Sequence, residues 1–243
     1  FSTAAGVVDR QVTICRGRKK TVQEGESTKT KWSELSPGIS AVYFSPDDVD
    51  IVKGQPAGRR RFIDNLIYQA RPAFYRYLQG YHRVLSQRNT LLKTIRSKPN
   101  LAKTLDPWDE QLSEFGAQLI GLRLKVLEQL ASMAEDFFRD FTGATDSLKI
   151  SYKSEIRVGD VDFIKEDFKK KLLEHRKADI QRSYTTVGPH RDDIEFFING
   201  KSVKYYGSQG QQRLVVLCLK FAQRNLLYAE RGQYPILLLD DVM

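Results

Sequence analysis

A chain of 243 residues, 41% hydrophobic and 11% aromatic, has the composition of a folded protein with one large core or two modest ones, which excludes a wholly disordered segment. No apolar run approaches the roughly 18–20 residues that a membrane-spanning helix needs, and neither a signal peptide nor a cysteine framework is present, so a cytoplasmic protein with no membrane partner is expected. The net charge of +9 points toward anionic partners.

Residues 10–44 read as strands: a β-rich run at 11–15, a turn at Gly17 and a second run at 39–44. Cys15 in the first run and Cys218 far downstream read as reduced thiols, each packed as a small buried hydrophobe. Ser45-Pro46-Asp47-Asp48 then supplies an N-cap, a proline at the first helical position and acids in the first turn.

A helical region is expected over 59–141. Its first part places Ile63, Ile67, Ala70, Phe74, Tyr77, Tyr81, Val84, Leu91 and Ile95 on four- and three-residue steps, broken where Arg88 falls, with Pro72 interrupting the helix. Its second part repeats the seam with Leu112, Phe115, Leu119, Leu122, Val126, Met133 and Phe137, and Pro99 and Pro107 lie in the connection. The two parts differ in charge. Residues 59–103 hold eleven Lys/Arg against the single acid Asp64, and residues 104–146 hold nine acids against three bases. Two readings follow: a basic footprint for nucleic-acid phosphates, or an antiparallel helical hairpin whose basic and acidic faces pair. Arg59, Arg60, Arg61, Arg83, Arg88, Lys93 and Arg96 are the candidate DNA contacts, with arm–head ion pairs as the alternative for the first three.

Beyond the hairpin, 148–158 alternates like a strand, Gly159-Asp160 turns, and 161–181 reads as a charged helix. The run 194–198, the turn dipeptide Asn199-Gly200 and the run 201–206 predict a β-hairpin. A long apolar helix over 210–229 follows, then a strand at 236–239.

Two C-terminal features carry chemistry. Ser208-Gln209-Gly210-Gln211-Gln212-Arg213 opens a helix, and a helix N-terminus offers unpaired N–H groups and a positive dipole end to an anion. Ser208 adds a hydroxyl donor and Gly210 permits close approach; the alternative is an ordinary serine-capped helix. In the second, Ile236-Leu237-Leu238-Leu239 suits a strand buried on both faces of a parallel sheet, and Asp240-Asp241 follow at its C-terminal end, where α/β proteins place ligands. This is the form of a Walker B strand, with Asp240 a magnesium ligand and Asp241 the residue that orients or deprotonates the attacking water; the alternative is a pair of helix-capping aspartates. His82, His175 and His190 show no metal-ligand spacing, and His190 is expected to be a hydrogen-bonded structural residue in a segment that links arm to head.

The run Gly207-Ser208-Gln209-Gly210-Gln211-Gln212-Arg213, followed by Leu237-Leu238-Leu239-Asp240-Asp241-Val242-Met243, closely resembles the RecF family of bacterial recombination-repair proteins. So do Thr186-Val187-Gly188-Pro189-His190-Arg191-Asp192-Asp193, Phe44-Ser45-Pro46-Asp47-Asp48, Gly58-Arg59-Arg60-Arg61-Phe62-Ile63-Asp64 and Gln87-Arg88-Asn89, in the family's order along nearly the whole chain. The resemblance implies an α/β fold, a partial ABC-type ATPase head with an inserted, mainly helical arm domain. Residues 1–58 and 184–243 are then head and 59–183 arm.

It also implies ATP and Mg²⁺ as cofactors, an ATP-dependent homodimer, and DNA binding at single/double-strand junctions or gaps. RecR, with RecO, would be protein partners in helping load recombinase, within recombinational repair, replication-fork maintenance and the SOS response. In such heads Ser208, Gln209, Gly210 and Gln211 form the signature motif and contact the γ-phosphate held by the opposing subunit. One element is missing: no G-x-x-x-x-G-K-[ST] loop occurs in these residues. With Phe1 in place of a start methionine, this leads to the expectation that the chain is a piece lacking the ATP-gripping segment and the C-terminal end, and inactive alone. Two competing readings are a non-enzymatic DNA- or protein-binding module and an ABC transporter nucleotide-binding domain. The Ser-Gln-Gly-Gln signature and the basic arm speak against the second of these.

Overall fold

The computed structural model describes residues 40–240, Pro99's side chain apart, and within the first 39 residues the backbone of five strands. It divides into two units, residues 1–40 and 41–243. In the first, β1 (Ser2–Thr3) pairs with β2 (Gly6–Val7), and β3 (Arg10–Thr13), β4 (Thr21–Glu24) and β5 (Ser27–Lys29) form an antiparallel meander. Cys15 and the turn at Gly17 lie outside the described residues.

The second unit opens with β6 (Ala41–Phe44) and a 3-10 turn, Pro46–Val49, capped as expected: Asp47 N–H donates to Ser45 Oγ, and the Ser45 N–H donates to Asp48. Helix α1 (Asp50–Lys53) leads to α2 (Pro56–Ala70) and α3 (Phe74–Ser97). The break between the last two is Pro72's doing, because the residue before a proline is driven out of the helical region; Arg71 has φ −137° and ψ 86°. A 3-10 segment, Pro99–Leu105, turns the chain into α4 (Asp106–Thr142), which packs back on α3 as the predicted hairpin. Strand β7 (Leu148–Lys153) is shorter than expected, and α5 (Val161–Arg182) starts from an Asp160 cap.

Strand β8 (Asp193–Ile198) pairs with β7 and turns through Asn199 and Gly200, whose φ values of 50° and 78° suit that dipeptide. The predicted return strand over 201–206 is corrected. Strand β9 is Lys201–Ser202 alone, and Val203–Tyr206 coils into α6. A strand here needs one covered face, yet Tyr205 and Tyr206 are 74% and 76% exposed. Helix α7 (Gln209–Arg231) and β10 (Ile236–Leu239) complete the unit, β10 running parallel to β6 with Leu238 beside Tyr43.

One core joins these elements, with α4 against α3, α5 and α7. The boundaries expected after residues 58 and 183 both fall within this unit. Burial of β10 on both faces is not found. Its one neighbour among the described residues is β6, and Leu237, Leu238 and Leu239 are 40%, 50% and 66% exposed. No helix among the described residues is long and apolar enough to cross a membrane.

Candidate nucleotide site and nucleic-acid face

The N-terminus of α7 is exposed and tightly organised. Gln211 N–H donates to Ser208 Oγ at 3.2 Å, and Ser208 N–H donates to Gln211 Oε1 at 2.9 Å, a reciprocal capping box. The serine-cap alternative is therefore realised, and it leaves the hydroxyl proton of Ser208 able to donate outward. The first N–H groups, those of Gln209 and Gly210, have no acceptor within a helix. Open space surrounds Gly210, where an added Cβ would meet nothing nearer than Ser208 Oγ at 3.9 Å. Gly207 is needed for a different reason: a Cβ there would sit 2.6 Å from the Val203 carbonyl oxygen, so only glycine makes the turn from α6 into α7.

Asp240 lies exposed just past β10. Its N–H donates to the Phe44 carbonyl at 3.0 Å, and its Oδ2 accepts from the Tyr43 hydroxyl at 2.6 Å, a bond that raises the tyrosine's pKa. The other carboxylate oxygen is available to a cation. Among the described residues no cluster of three metal-ligating side chains exists, so a cation at Asp240 would not be held by a protein-built cage. Asp241 lies outside the described residues.

Lys220 ties the two features together, and the sequence reading passed over it. From the buried face of α7 its Nζ donates to the Tyr43 carbonyl at 2.6 Å and to Asp48 Oδ1 at 2.7 Å. A lysine in the middle of the stripe Val216, Leu219, Gln223, Leu227 was the signal for it. This fixes a dimension. Ser208 stands twelve residues before Lys220, about 18 Å along the helix. Strand β10 returns from the C-terminal end of α7 and draws level with Lys220 at Leu238, opposite Tyr43. The two further residues to Asp240 add about 7 Å. About 10 Å along α7 therefore separates Asp240 from Ser208.

The seven candidate DNA contacts divide sharply. Arg88 is fully buried on the α3 seam, donating through Nε to Asp109 Oδ1 at 2.6 Å and through Nη1 to Asp179 Oδ2 at 2.7 Å and Thr185 Oγ1 at 2.8 Å. Arg59, 2% exposed, grips Asp193 with Nε and Nη2 at 2.6 and 2.9 Å and reaches the carbonyls of Val52 and Gly54. Both leave the DNA set, because a buried guanidinium committed to carboxylates cannot meet a phosphate. Arg60 is half-buried and donates to the Asp192 carbonyl at 2.7 Å. Arg61, Arg83, Lys93 and Arg96 are exposed and take no acidic partner among the described residues.

The segment 188–193, expected to link arm to head, is a hydrogen-bonded junction among α2, α4 and β7. The Pro189 carbonyl accepts from Arg123 of α4, which also holds Asp64 of α2 with two 2.8 Å bonds. Asp192 accepts from the Tyr152 hydroxyl of β7 at 2.6 Å, and Asp193 holds Arg59 of α2. His190 Nε2 faces the Thr185 carbonyl at 3.1 Å, so it carries the proton, and Nδ1 accepts from the Tyr81 hydroxyl at 2.6 Å. Burial lowers this imidazole's pKa to about 4, which keeps it neutral. His190 is the structural histidine expected.

No protein-family model matches the chain. It is 38% identical over 235 residues to the DNA replication and repair protein RecF of Natranaerobius thermophilus, covering 93% of this chain and 61% of that protein. With the RecF protein of Alkaliphilus oremlandii it shares 42% identity over 236 residues, 96% of this chain and 64% of the relative. A solved structure described as the recombination mediator protein RecF-ATPrS in the RecFOR pathway superposes with a TM-score of 0.88 at 33% identity, over 96% of this chain and 64% of that one. The chain thus spans a little over three-fifths of the length of these relatives.

Proposed function

We infer, from the premise that over the residues it spans this chain belongs to the RecF family, that it is the larger part of an ABC-type ATPase head that binds DNA and closes into a dimer on ATP. The observation that carries the inference is the exposed N-terminus of α7, with Ser208 held by its capping box and open space at Gly210. Because Ser208, Gln209 and Gly210 face solvent, a second copy can offer its α7 N-terminus to the phosphate held at the first copy's Asp240 end. The Ser208 hydroxyl proton and the N–H groups of Gln209 and Gly210 then meet that phosphate from across the interface, and Gln211 holds Ser208 in place through the capping box. Asp240 offers its unengaged oxygen to Mg²⁺, directly or through water, and Asp241 orients or deprotonates the attacking water. The bound nucleotide and its cation supply the reacting phosphoryl group and the charge that draws the two copies together. Because the γ-phosphate bridges two subunits, hydrolysis reopens the dimer.

DNA enters through the exposed cations Arg61, Arg83, Lys93 and Arg96, with Arg60 beside them, contacting phosphates and not bases. The relatives' description as replication and repair proteins and as a recombination mediator in the RecFOR pathway supports a cytoplasmic role in recombinational repair and replication-fork maintenance. Helping load recombinase at gapped DNA, with RecR and RecO as partners, fits that role. Sedimentation of the intact protein tests the reading. A dimer that forms with Mg²⁺–ATP and dissociates on hydrolysis is expected; a monomer under saturating nucleotide contradicts it.

A further inference from the structure

Arg76, Gly80 and Arg83 share one stripe of α3, at steps of four and three residues. At Gly80 an added Cβ would lie 2.5 Å from the Phe115 ring. The missing side chain lets this ring of α4 come forward between the two arginines. It forms the floor of an open groove of about 940 Å³, with Tyr75 and Tyr77 in its walls and Arg76 and Arg83 along it. No carboxylate lines the groove. Neither arginine has an ion pair among the described residues, and their backbones stand about 10 Å apart along the helix. The Tyr75 ring is braced by Tyr68 at 5.5 Å between centroids, and Tyr77 packs against the core, so both rings are held in place. Leu78 and His82 also line a second hollow of about 280 Å³, which carries Arg60 and Arg61 and whose one acid, Asp64, is already held by Arg123.

We propose that this groove seats a single strand of nucleic acid, with unstacked bases against Tyr75, Tyr77 and Phe115 and phosphates at Arg76 and Arg83. It rests on the reading that the arm binds DNA, and it names the form of DNA that this face takes. Duplex DNA offers phosphates but keeps its base faces covered, so it leaves three aromatic side chains unused. An acidic peptide answers the charge and gains little from the rings. A single strand uses both, which is the general form of sequence-tolerant single-strand sites: cations along the backbone with aromatic platforms between. The second hollow, with Arg60 and Arg61, extends the path of positive charge toward α2.

The test measures, in the intact protein, the affinity for a labelled oligothymidylate and for a duplex of equal length across a salt series. Replacing Tyr75 or Tyr77 by Ala should weaken single-strand binding roughly five- to 100-fold per stacked base and leave duplex binding unchanged. Tyr75→Phe should bind as the parent does, and Tyr75→Leu, which keeps apolar volume without a ring, carries the test if the alanine variant does not fold. Arg76→Ala and Arg83→Ala should each reduce the single-strand salt slope by about 0.7. An oligothymidylate bearing 5-iododeoxyuridine should photocrosslink to Tyr75 or Tyr77. Unchanged single-strand affinity in the ring variants, while Lys93→Ala and Arg96→Ala still weaken duplex binding, overturns the groove and keeps the arm reading. If no cation variant affects either DNA, both fail. If the ring variants lose affinity for a polyglutamate probe and not for oligothymidylate, the groove is a peptide site and the proposal is overturned.

Discussion

Arg88 and Asp179 form an ion pair in which neither side chain has any exposure to water, Nη1 lying 2.7 Å from Oδ2. The pair ties α3 to α5, and the same guanidinium holds Asp109 of α4, so one buried cation closes a three-helix junction. Asp179 in turn accepts from the N–H and hydroxyl of Thr186, which carries the tie into the segment leading to His190. Arg88→Ala leaves the buried Asp179 without its cation, while Asp109 keeps only Arg176. Such a change costs about 3–5 kcal/mol, to be read as a lowered urea midpoint in the intact protein.

The candidate DNA contacts left after this sorting make a contrasting prediction. Replacing Arg61, Arg83, Lys93 or Arg96 by Ala should leave thermal stability within about 0.5 kcal/mol of the parent. Each should reduce the magnitude of the salt slope for duplex binding by about 0.9. Arg59→Ala and Arg88→Ala should do the reverse, losing stability with the slope unchanged wherever the variant folds.

Which of the basic residues did which job was only half legible in the sequence. Arg88 interrupts an apolar seam, and a charge at a core position is a signal of burial with partners; yet its partners lie 21 and 91 residues away and no local pattern names them. Asn199-Gly200, Pro72 and the Ser45 and Ser208 caps were legible because each acts through its own neighbours. The fate of 201–206 was not, because a period-two pattern does not say whether a face is covered. Nor could four apolar residues at 236–239 reveal that Leu239 stands two-thirds exposed, since burial depends on neighbouring strands. Lys220 was visible as a lone charge in an apolar stripe, but its acceptors, the Tyr43 carbonyl and Asp48, come from the other end of the chain.

Lys220→Met tests that tie. Asp48, mostly buried, loses its cation and the Tyr43 carbonyl loses a donor, while the methionine preserves apolar volume. A loss of about 2–3 kcal/mol is expected from a charge-assisted bond removed at a largely buried site, measured by urea denaturation. Lys220→Arg should recover part of it.

His190 sets a pH dependence. An unfolded histidine titrates near 6.5, and burial holds the folded imidazole to about 4, with Arg191, Arg60 and His82 adding to the effect. Between those values the unfolded chain binds a proton that the folded chain refuses. The contribution, about 3 kcal/mol at most, is therefore complete above pH 6.5 and is lost as the pH falls toward 4. Burial raises the Asp192 carboxyl, which works with the opposite sign, so the comparison must be with His190→Gln. The slope of melting temperature against pH between 6.5 and 4 should be shallower in that variant; identical slopes contradict the assignment.

The central claim is that Ser208 serves a nucleotide held by a second copy, and Ser208→Arg in the intact protein tests it most directly. The bulky cation leaves a single subunit's own ATP binding untouched but blocks the approach of the opposing γ-phosphate. Sedimentation with saturating Mg²⁺–ATP should therefore show a nucleotide-bound monomer with no hydrolysis. A Ser208→Arg protein that dimerises and hydrolyses ATP as the parent does would reduce Ser208 to a helix cap and contradict the account.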